Sequence, residues 1–413
     1  MDNSTNVTYS LEDEDWNEFR RNGIPISVYL ISLCVVGTVG NVHVMLIYSL
    51  RYKPSVFQTL TLCLATMDFI GCSIGIPMGL IILMHPYTIQ SPAFCKSVGA
   101  LNYFVGAYSL TLLDCIVVER YRKVCQPTRT QFTIIMARAT CIFLAFSIAT
   151  ISIIPMAIIY GITVKITRPH FLIGYECQVL DHYNYALGTN IYRGFLFFVF
   201  LVLLVTSVVL YTLVLRRLYI QKNKFSKKET SKPGLRGMKP KQGMYTSSSS
   251  DSGYRAHKID ISDTTDSVSE SQIGSNIYLS EKDRIIVSST NDSYIPSSSD
   301  PNDGQPRVSG KGFLNRMKKK KRKAIDKSIN LTLTFLVVSM VSFGSYAPHF
   351  VTILLTQVDR SFADTYAALD DFLVWMVFLN NAANPLVYGF MDKKFRNELS
   401  KFYAKILKCF SEC

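Results

Sequence analysis

Seven long apolar stretches constrain this chain more than any other feature of its sequence. A bilayer core about 30 Å thick is crossed by about 20 helical residues. Stretches at roughly 26–49, 57–84, 96–119, 137–160, 190–215, 330–356 and 372–390 reach that length with few or no formal charges inside. Membrane strands instead show about ten residues of alternating hydrophobicity within a closed barrel. Continuous apolarity favours helices, which satisfy their own backbone groups in lipid. The composition agrees: 48% of residues are hydrophobic and the mean hydropathy is +0.20, more apolar than an ordinary soluble domain. The expected fold class is an all-α membrane protein, a seven-transmembrane helix bundle.

Lys and Arg in the connections orient such a bundle. One side carries Arg51, Lys53, Arg120, Arg122, Lys123, Arg129, the run from Arg216 onward and the C-terminal tail. The other carries the acidic N-terminus, Asp181, Asp359, Asp364, Asp370 and Asp371. The basic side is expected to be cytoplasmic, and seven crossings then place the N-terminus outside a multi-pass plasma-membrane protein. The start, "MDNSTNVTYSLEDEDWNEF", is acidic and polar, unlike a cleavable leader. The first helix is therefore expected to direct its own insertion. Sequons at Asn3 and Asn6 fall on the outside, as glycosylation requires. The layout is a tail over 1–25, helices one to five over 26–216, a third cytoplasmic loop over 217–326, helices six and seven over 327–390, and a tail over 391–413.

The 217–326 segment differs in kind. "YTSSSSDSGYR", "ESQIGSN" and "IPSSSDPNDGQPR" hold too little apolar surface to fold, so disorder is expected. It closes with "RMKKKKRKAIDKSIN", which carries much of the net charge of +14. Two readings of that run stay open: topology with anionic lipid, at about 1 kcal/mol per basic residue near the surface, or contact with a protein partner. In the tail, Phe395, Leu399, Phe402, Tyr403, Ile406 and Phe410 recur every three or four residues between Lys and Arg. This predicts a short amphipathic eighth helix on the inner membrane surface. Cys409 near its end is a candidate for lipidation, with an unmodified thiol as the plain alternative.

Polar groups inside spanning helices are costly and point to function. Here they are Asn41, Asp68, Asn102, Asp114, Arg193, His349, Asn380, Asn381 and Asn384. Several belong to ordered motifs: Gly40-Asn41 in the first helix, "LATMD" ending at Asp68 in the second, and Ser109 then Glu119-Arg120-Tyr121 in the third. Pro127 follows, with Cys95 at the outer end of that helix and Cys177 in a later outer loop. Tyr211 lies in the fifth helix, Pro348 in the sixth, and Asn384, Pro385 and Tyr388 of "NPLVY" in the seventh, with Phe395 after the turn. Each motif alone is common. Together, in this order on these helices, they resemble the rhodopsin-like (class A) G-protein-coupled receptors, over all seven helices and the tail helix but not the long loop.

The resemblance implies roles for particular residues. Cys95 and Cys177 would form an outer disulfide. Glu119 would restrain Arg120 in the resting state. On activation Arg120 would let go, Tyr211 and Tyr388 would swing toward it, and the sixth helix would move outward to admit a heterotrimeric G protein. Arrestin and receptor kinases are implied partners, with Ser247–Ser250 and Ser297–Ser299 as phosphate acceptors. No cofactor is expected beyond an allosteric sodium ion at Asp68, with Ser109, Asn380, Asn381 and Asn384 as its shell. A hydrogen-bonded cluster with water and no ion is the alternative. No nucleic-acid partner is expected. The sequence also departs from the family. Tyr346 stands at the usual Trp, Ser342 at the usual Phe, Leu203 at the usual Pro, and Ala145 or Phe146 at a Trp of the fourth helix. The position of a partner for Arg120 on the sixth helix is Ser328, with Asp326 nearby. Asp114, in the inner half of the third helix, is unusual for the family.

Two ligand classes are set aside. Phe378 occupies the position of a retinal-binding Lys, and Asn102 that of an amine-binding Asp. The expected pocket is Asn102, Tyr103, Gly106, Tyr346, His349, Phe350 and Trp375, beneath the loop containing "GYECQVLD". An acidic rim at Glu12 to Asp15, Asp181, Asp370 and Asp371 would steer basic ligands, or only solvate the surface. The third-helix motif and Pro77 resemble neuropeptide receptors, so a peptide is expected, basic or amidated. An orphan receptor with constitutive signalling is the alternative. A transporter would show matched internal repeats, and the chain has no motif for an enzyme.

Overall fold

The computed structural model describes residues 9–167, 170–184, 186–230, 310–358 and 367–412. The sequons at Asn3 and Asn6, the Ser clusters of the long loop, and the side chains of Asp359, Asp364, Asp370 and Asp371 lie outside the described residues. Two compact units appear: one of Met1–Tyr219 with Lys320–Cys413, the other of Ile220–Lys319. In the second unit, residues 220–230 and 310–319 are helical.

The first helix runs from Leu11 to Arg51, with one wide turn at Phe19–Gly23. Ser10 caps it, and the Asp13 carboxylate accepts from the Ser10 backbone N–H. The second, Val56–Met84, is capped by Ser55 and has a wide turn at Gly71–Gly75. The third, Pro92–Cys125, starts on Ser91 with Pro92 in its first turn, and the fourth, Ile134–Ile159, starts on Thr133. The fifth is Leu187–Thr230 and the sixth Gly310–Val358. The seventh is built from Ala367–Trp375, a tight turn at Met376–Phe378, and Leu379–Met391. Asp392 ends it and accepts from the backbone N–H of Lys394, which starts the amphipathic helix Lys393–Glu412. Between the fourth and fifth helices, Tyr160–Ile166 and Ile173–Val179 pair as an antiparallel hairpin with Ile162 opposite Cys177.

Among the described residues, six helices are long and apolar enough to cross a membrane, and the segmented seventh completes the seven-helix bundle. Its burial is inverted relative to a soluble protein. Phe143 and Phe146 of the fourth helix are 69% and 72% exposed, whereas Asn41, Asp68 and Asn380 are fully buried. Such an apolar exterior suits lipid, not water. Of the two candidates for the missing Trp, Ala145 packs on the core and Phe146 faces outward.

The inner core gathers Tyr48, Phe57, Leu64, Leu113, Ile116, Phe335, Tyr388 and Phe395. A smaller outer core holds Ile26, Leu30, Cys72, Ile76, Phe378 and Ala382. Gly40 matters for the first: a Cβ there would stand 2.6 Å from Pro385, so the first and seventh helices meet only because position 40 has none.

The helices overrun the expected spans. The 1–25 stretch, expected as a tail, is helical from Leu11. The 217–326 stretch, expected to be disordered, is helical at both ends, to Thr230 and from Gly310. Apolar length reports where a helix crosses lipid, not where it stops. "RRLYIQKNK" and "MKKKKRKAIDK" are rich in good helix formers and extend the helices beyond it. The hairpin was not expected.

Candidate functional site

At the inner end, the third helix buries Glu119 and Arg120, which are 5% and 6% exposed. Arg120 Nε lies 3.1 Å from Glu119 Oε2. The contact is an ion pair without hydrogen-bond angles, since neither atom makes a hydrogen bond. Lys123 shares the carboxylate, its Nζ 3.2 Å from Oε1. Loss of one partner would leave a buried charge exposed to a large desolvation penalty. The Arg120 guanidinium also lies over the Phe57 ring, 4.5 Å from its centroid. Phe57 in turn meets Phe335 of the sixth helix edge-on at 5.2 Å. The second, third and sixth helices are thus joined through one cation and two rings.

The other expected switch residues surround this contact. Tyr211 of the fifth helix bonds Ser339 of the sixth, oxygen to oxygen, at 3.1 Å. Tyr388 is buried 5.6 Å from the Phe335 ring, and its hydroxyl makes no hydrogen bond. Tyr121 packs beside Val124, Val214 and Leu218, and Gln126 donates to its hydroxyl at 3.4 Å. Pro385 sits on Gly40 and Asn384 turns to Asp68.

Halfway across, Asp68 is fully buried. Ser109 donates to its Oδ1 at 3.2 Å and Asn384 to its Oδ2. Asn380 and Asn381 bond each other at 2.9 Å, and Asn41 donates to the Asn381 carbonyl at 2.9 Å. Two of the four expected shell residues therefore touch Asp68. The side-chain oxygens of Asn380 and Asn384 are buried without partners.

Of the expected pocket, Tyr103, Gly106, Tyr346, His349 and Phe350 form one group. Tyr346 lies against Gly106, where a Cβ would collide with its hydroxyl. His349 stands edge-on to Tyr103 at 6.3 Å, with a buried Nδ1 that makes no hydrogen bond. Phe350 packs 4.7 Å from Phe200. Asn102 and Trp375 pack against Gly75 and Gly79 of the second helix. Arg193 donates to Asn184 at the outer end of the fifth helix.

At the outer end Cys95 and Cys177 form the expected disulfide, with Cα atoms 5.4 Å apart. Tyr160 donates to the Cys177 carbonyl at 3.0 Å. The acidic rim needs correcting. Glu14 and Asp15 are buried, at 5% and 4% exposure, and point into the protein. Asp15 accepts from the Tyr87 backbone at 2.7 Å and from the Thr88 hydroxyl, and Glu14 pairs with His170. Burial pushes the neighbouring Tyr87 phenol above its usual range. Once helical, the 11–18 segment turns two of its four consecutive acids inward, and their charge goes to holding the loops. Glu12, Asp13 and Asp181 remain exposed.

On the inner surface, exposed Cys409 borders a cavity of about 420 Å³ with Leu50, Arg51, Phe402, Lys405 and Ile406. Three features escaped the sequence. Phe57 and Phe335 carry no motif and matter only through each other. Phe343, next to Ser342, packs with Leu110 and Phe200. Asp114 accepts a hydrogen bond from Ser207 of the fifth helix.

A family model described as 7 transmembrane receptor (rhodopsin family) matches residues 40–388. No curated protein sequence matches the chain. A crystal structure of squid rhodopsin is similar, with a TM-score of 0.62 over 99% of this chain and 93% of that one. At 14% identity this likeness is one of fold. The family match extends from the Gly40 contact to Tyr388 and takes in the buried Glu119–Arg120 pair and the Asp68 cluster: the chain belongs to the rhodopsin family of seven-transmembrane receptors, a family of receptors and not of enzymes.

Proposed function

We propose that this receptor binds an extracellular peptide and activates heterotrimeric G proteins through outward movement of its sixth helix. The observation that carries the reading is the inner contact. Arg120 is held by Glu119 and by the Phe57 ring, and Phe57 touches Phe335 of the element that must move. Outward movement of the sixth helix separates Phe335 from Phe57 and frees the guanidinium. The unbonded hydroxyl of Tyr388 is then available to it. A bistable contact of this kind is biased by a ligand on the far side of the membrane.

The ligand is a peptide with a basic or amidated end. His349 offers a buried, unpartnered nitrogen among Tyr103, Phe350 and Tyr346, which suits an aromatic or amide group. Steering of a basic end falls to Glu12, Asp13 and Asp181. The N-terminus faces outward, a reading supported by its ties to the loops beside the disulfide. Arrestin and receptor kinases would read the Ser clusters of the long loop.

The Asp68 cluster fits a sodium ion. A buried carboxylate has two neutral donors, and the side-chain oxygens of Asn380 and Asn384 lack partners. Asp68, Ser109 and Asn384 would hold the ion, with Asn380 and Asn381 completing the shell. Bound there, it supplies the positive charge that this carboxylate otherwise lacks. Asp68 anchors Asn384, and so the inner half of the seventh helix.

The test is nucleotide exchange on receptor-bearing membranes, with a panel of G proteins and a library of amidated peptides. Peptide-driven exchange that Arg120→Ala abolishes supports the reading. Solute flux across the membrane without exchange on any G protein would replace it with a transporter.

A further inference from the structure

The receptor reading leaves Asp114 without a task. It lies in the third helix, six residues before Arg120, and is 7% exposed. A carboxylate within a spanning helix is costly and is kept where it does something. Here the hydroxyl of Ser207, itself 2% exposed on the fifth helix, donates to its Oδ1. Ser207 comes four residues before Tyr211, so the two share a face one turn apart. Tyr211 bonds Ser339 of the sixth helix at 3.1 Å. Two buried hydrogen bonds, one turn apart on the fifth helix, therefore reach the third helix on one side and the sixth on the other.

A serine or asparagine at 114 would also accept from Ser207. A carboxylate makes the bond about twice as strong as a neutral acceptor does. It also raises the penalty for separation, because a charged acceptor would be left buried and unpaired. The result is a restraint that resists small displacements of the fifth helix. It lies between the outer Leu110–Phe200–Phe343 cluster and the inner Glu119–Arg120 pair.

We infer that Asp114 is a positioning residue of the switch. Its bond from Ser207 holds the fifth helix, and through Tyr211 and Ser339 the sixth, in the arrangement where Arg120 pairs with Glu119. Release of this tie is one step of activation. The inference rests on the proposed G-protein coupling.

The test uses the full-length receptor as Ser207→Ala, Asp114→Ala, the double variant and Asp114→Asn, with Glu119→Gln as a reference for release. Basal nucleotide exchange is read per receptor at the cell surface. Thermal unfolding midpoints of the same proteins give a double-mutant cycle that needs no G protein. Each single alanine variant should raise basal exchange about fivefold, the low end of ordinary site-to-site coupling. The double variant should rise no further than either single one. Asp114→Asn, which keeps an acceptor oxygen, should stay closer to wild type than Asp114→Ala. A purely structural role would lower stability and surface amount without raising exchange per receptor. The inference is overturned if exchange stays flat while Glu119→Gln raises it, or if the two alanine changes are additive in the midpoints. A coupled cycle with no exchange from any variant, Glu119→Gln included, removes the G-protein reading and leaves the tie intact.

Discussion

Phe57 shows how much of the proposed switch depends on residues outside the family motifs. Its ring carries the guanidinium on one side and Phe335 on the other. A cation–ring contact is worth about 0.5–2 kcal/mol. Losing about 1 kcal/mol of restraint corresponds to about a fivefold rise in the active fraction. Phe57→Ala should therefore raise basal nucleotide exchange by about that factor, and Phe57→Leu, which keeps bulk but no ring, should do so too. Equal exchange from Phe57→Leu and wild type would mean that bulk alone matters. At Asp68 the ion can be tested without a ligand. Replacing choline chloride with sodium chloride at fixed ionic strength should raise the unfolding midpoint of wild type and leave Asp68→Asn unmoved. A third expectation concerns Gly106. A larger residue meets the Tyr346 hydroxyl, so Gly106→Val should displace Tyr346 and weaken the response to the proposed peptide ligand while leaving basal exchange in place. Dose–response curves for the two receptors decide it.

Among the elements, the hairpin and the tail helix are both fixed to the bundle. Cys177 ties the hairpin to the outer end of the third helix. Removal of a native disulfide costs about 2–5 kcal/mol in small secreted domains. Cys95→Ala should therefore sharply reduce folded receptor at the surface, as counted by antibody on intact cells. The tail helix is seated by Phe395, which is 3% exposed and packs 6.2 Å from Tyr48 and 6.4 Å from Tyr388. Further along, His43 of the first helix meets Tyr403, and the Lys394 ammonium lies 3.5 Å from the Tyr52 ring centroid. Truncating a buried Phe costs about 3–5 kcal/mol. Phe395→Ala should lower the unfolding midpoint far more than Phe410→Ala, since Phe410 is 78% exposed.

For the molecule as a whole, legibility in the sequence followed the range of the interactions. Apolar length, Lys and Arg placement and costly polar residues in lipid are local signals, and they located the helices and Asp68, whereas the Glu119–Arg120 pair was read through the family resemblance. The Cys95–Cys177 bridge was legible only through the family resemblance. Phe57 against Arg120, Asp114 against Ser207, and Phe343 against Leu110 each depend on two helices meeting at one register, which no single segment records. The acidic N-terminus misled for a related reason. Charge is visible in sequence, but the face of the helix it occupies, and the loop it meets, are not. Helix ends were also hidden, because the basic stretches that leave the membrane are themselves good helix formers.

Those buried acids set an order of assembly. Asp15 waits for a partner 72 residues downstream, and Glu14 for one 156 residues downstream. The earliest part of the helix to leave the ribosome therefore cannot finish docking until the hairpin has been made. Until then Glu14 remains an unmatched carboxylate, a mark by which a half-built receptor differs from a complete one.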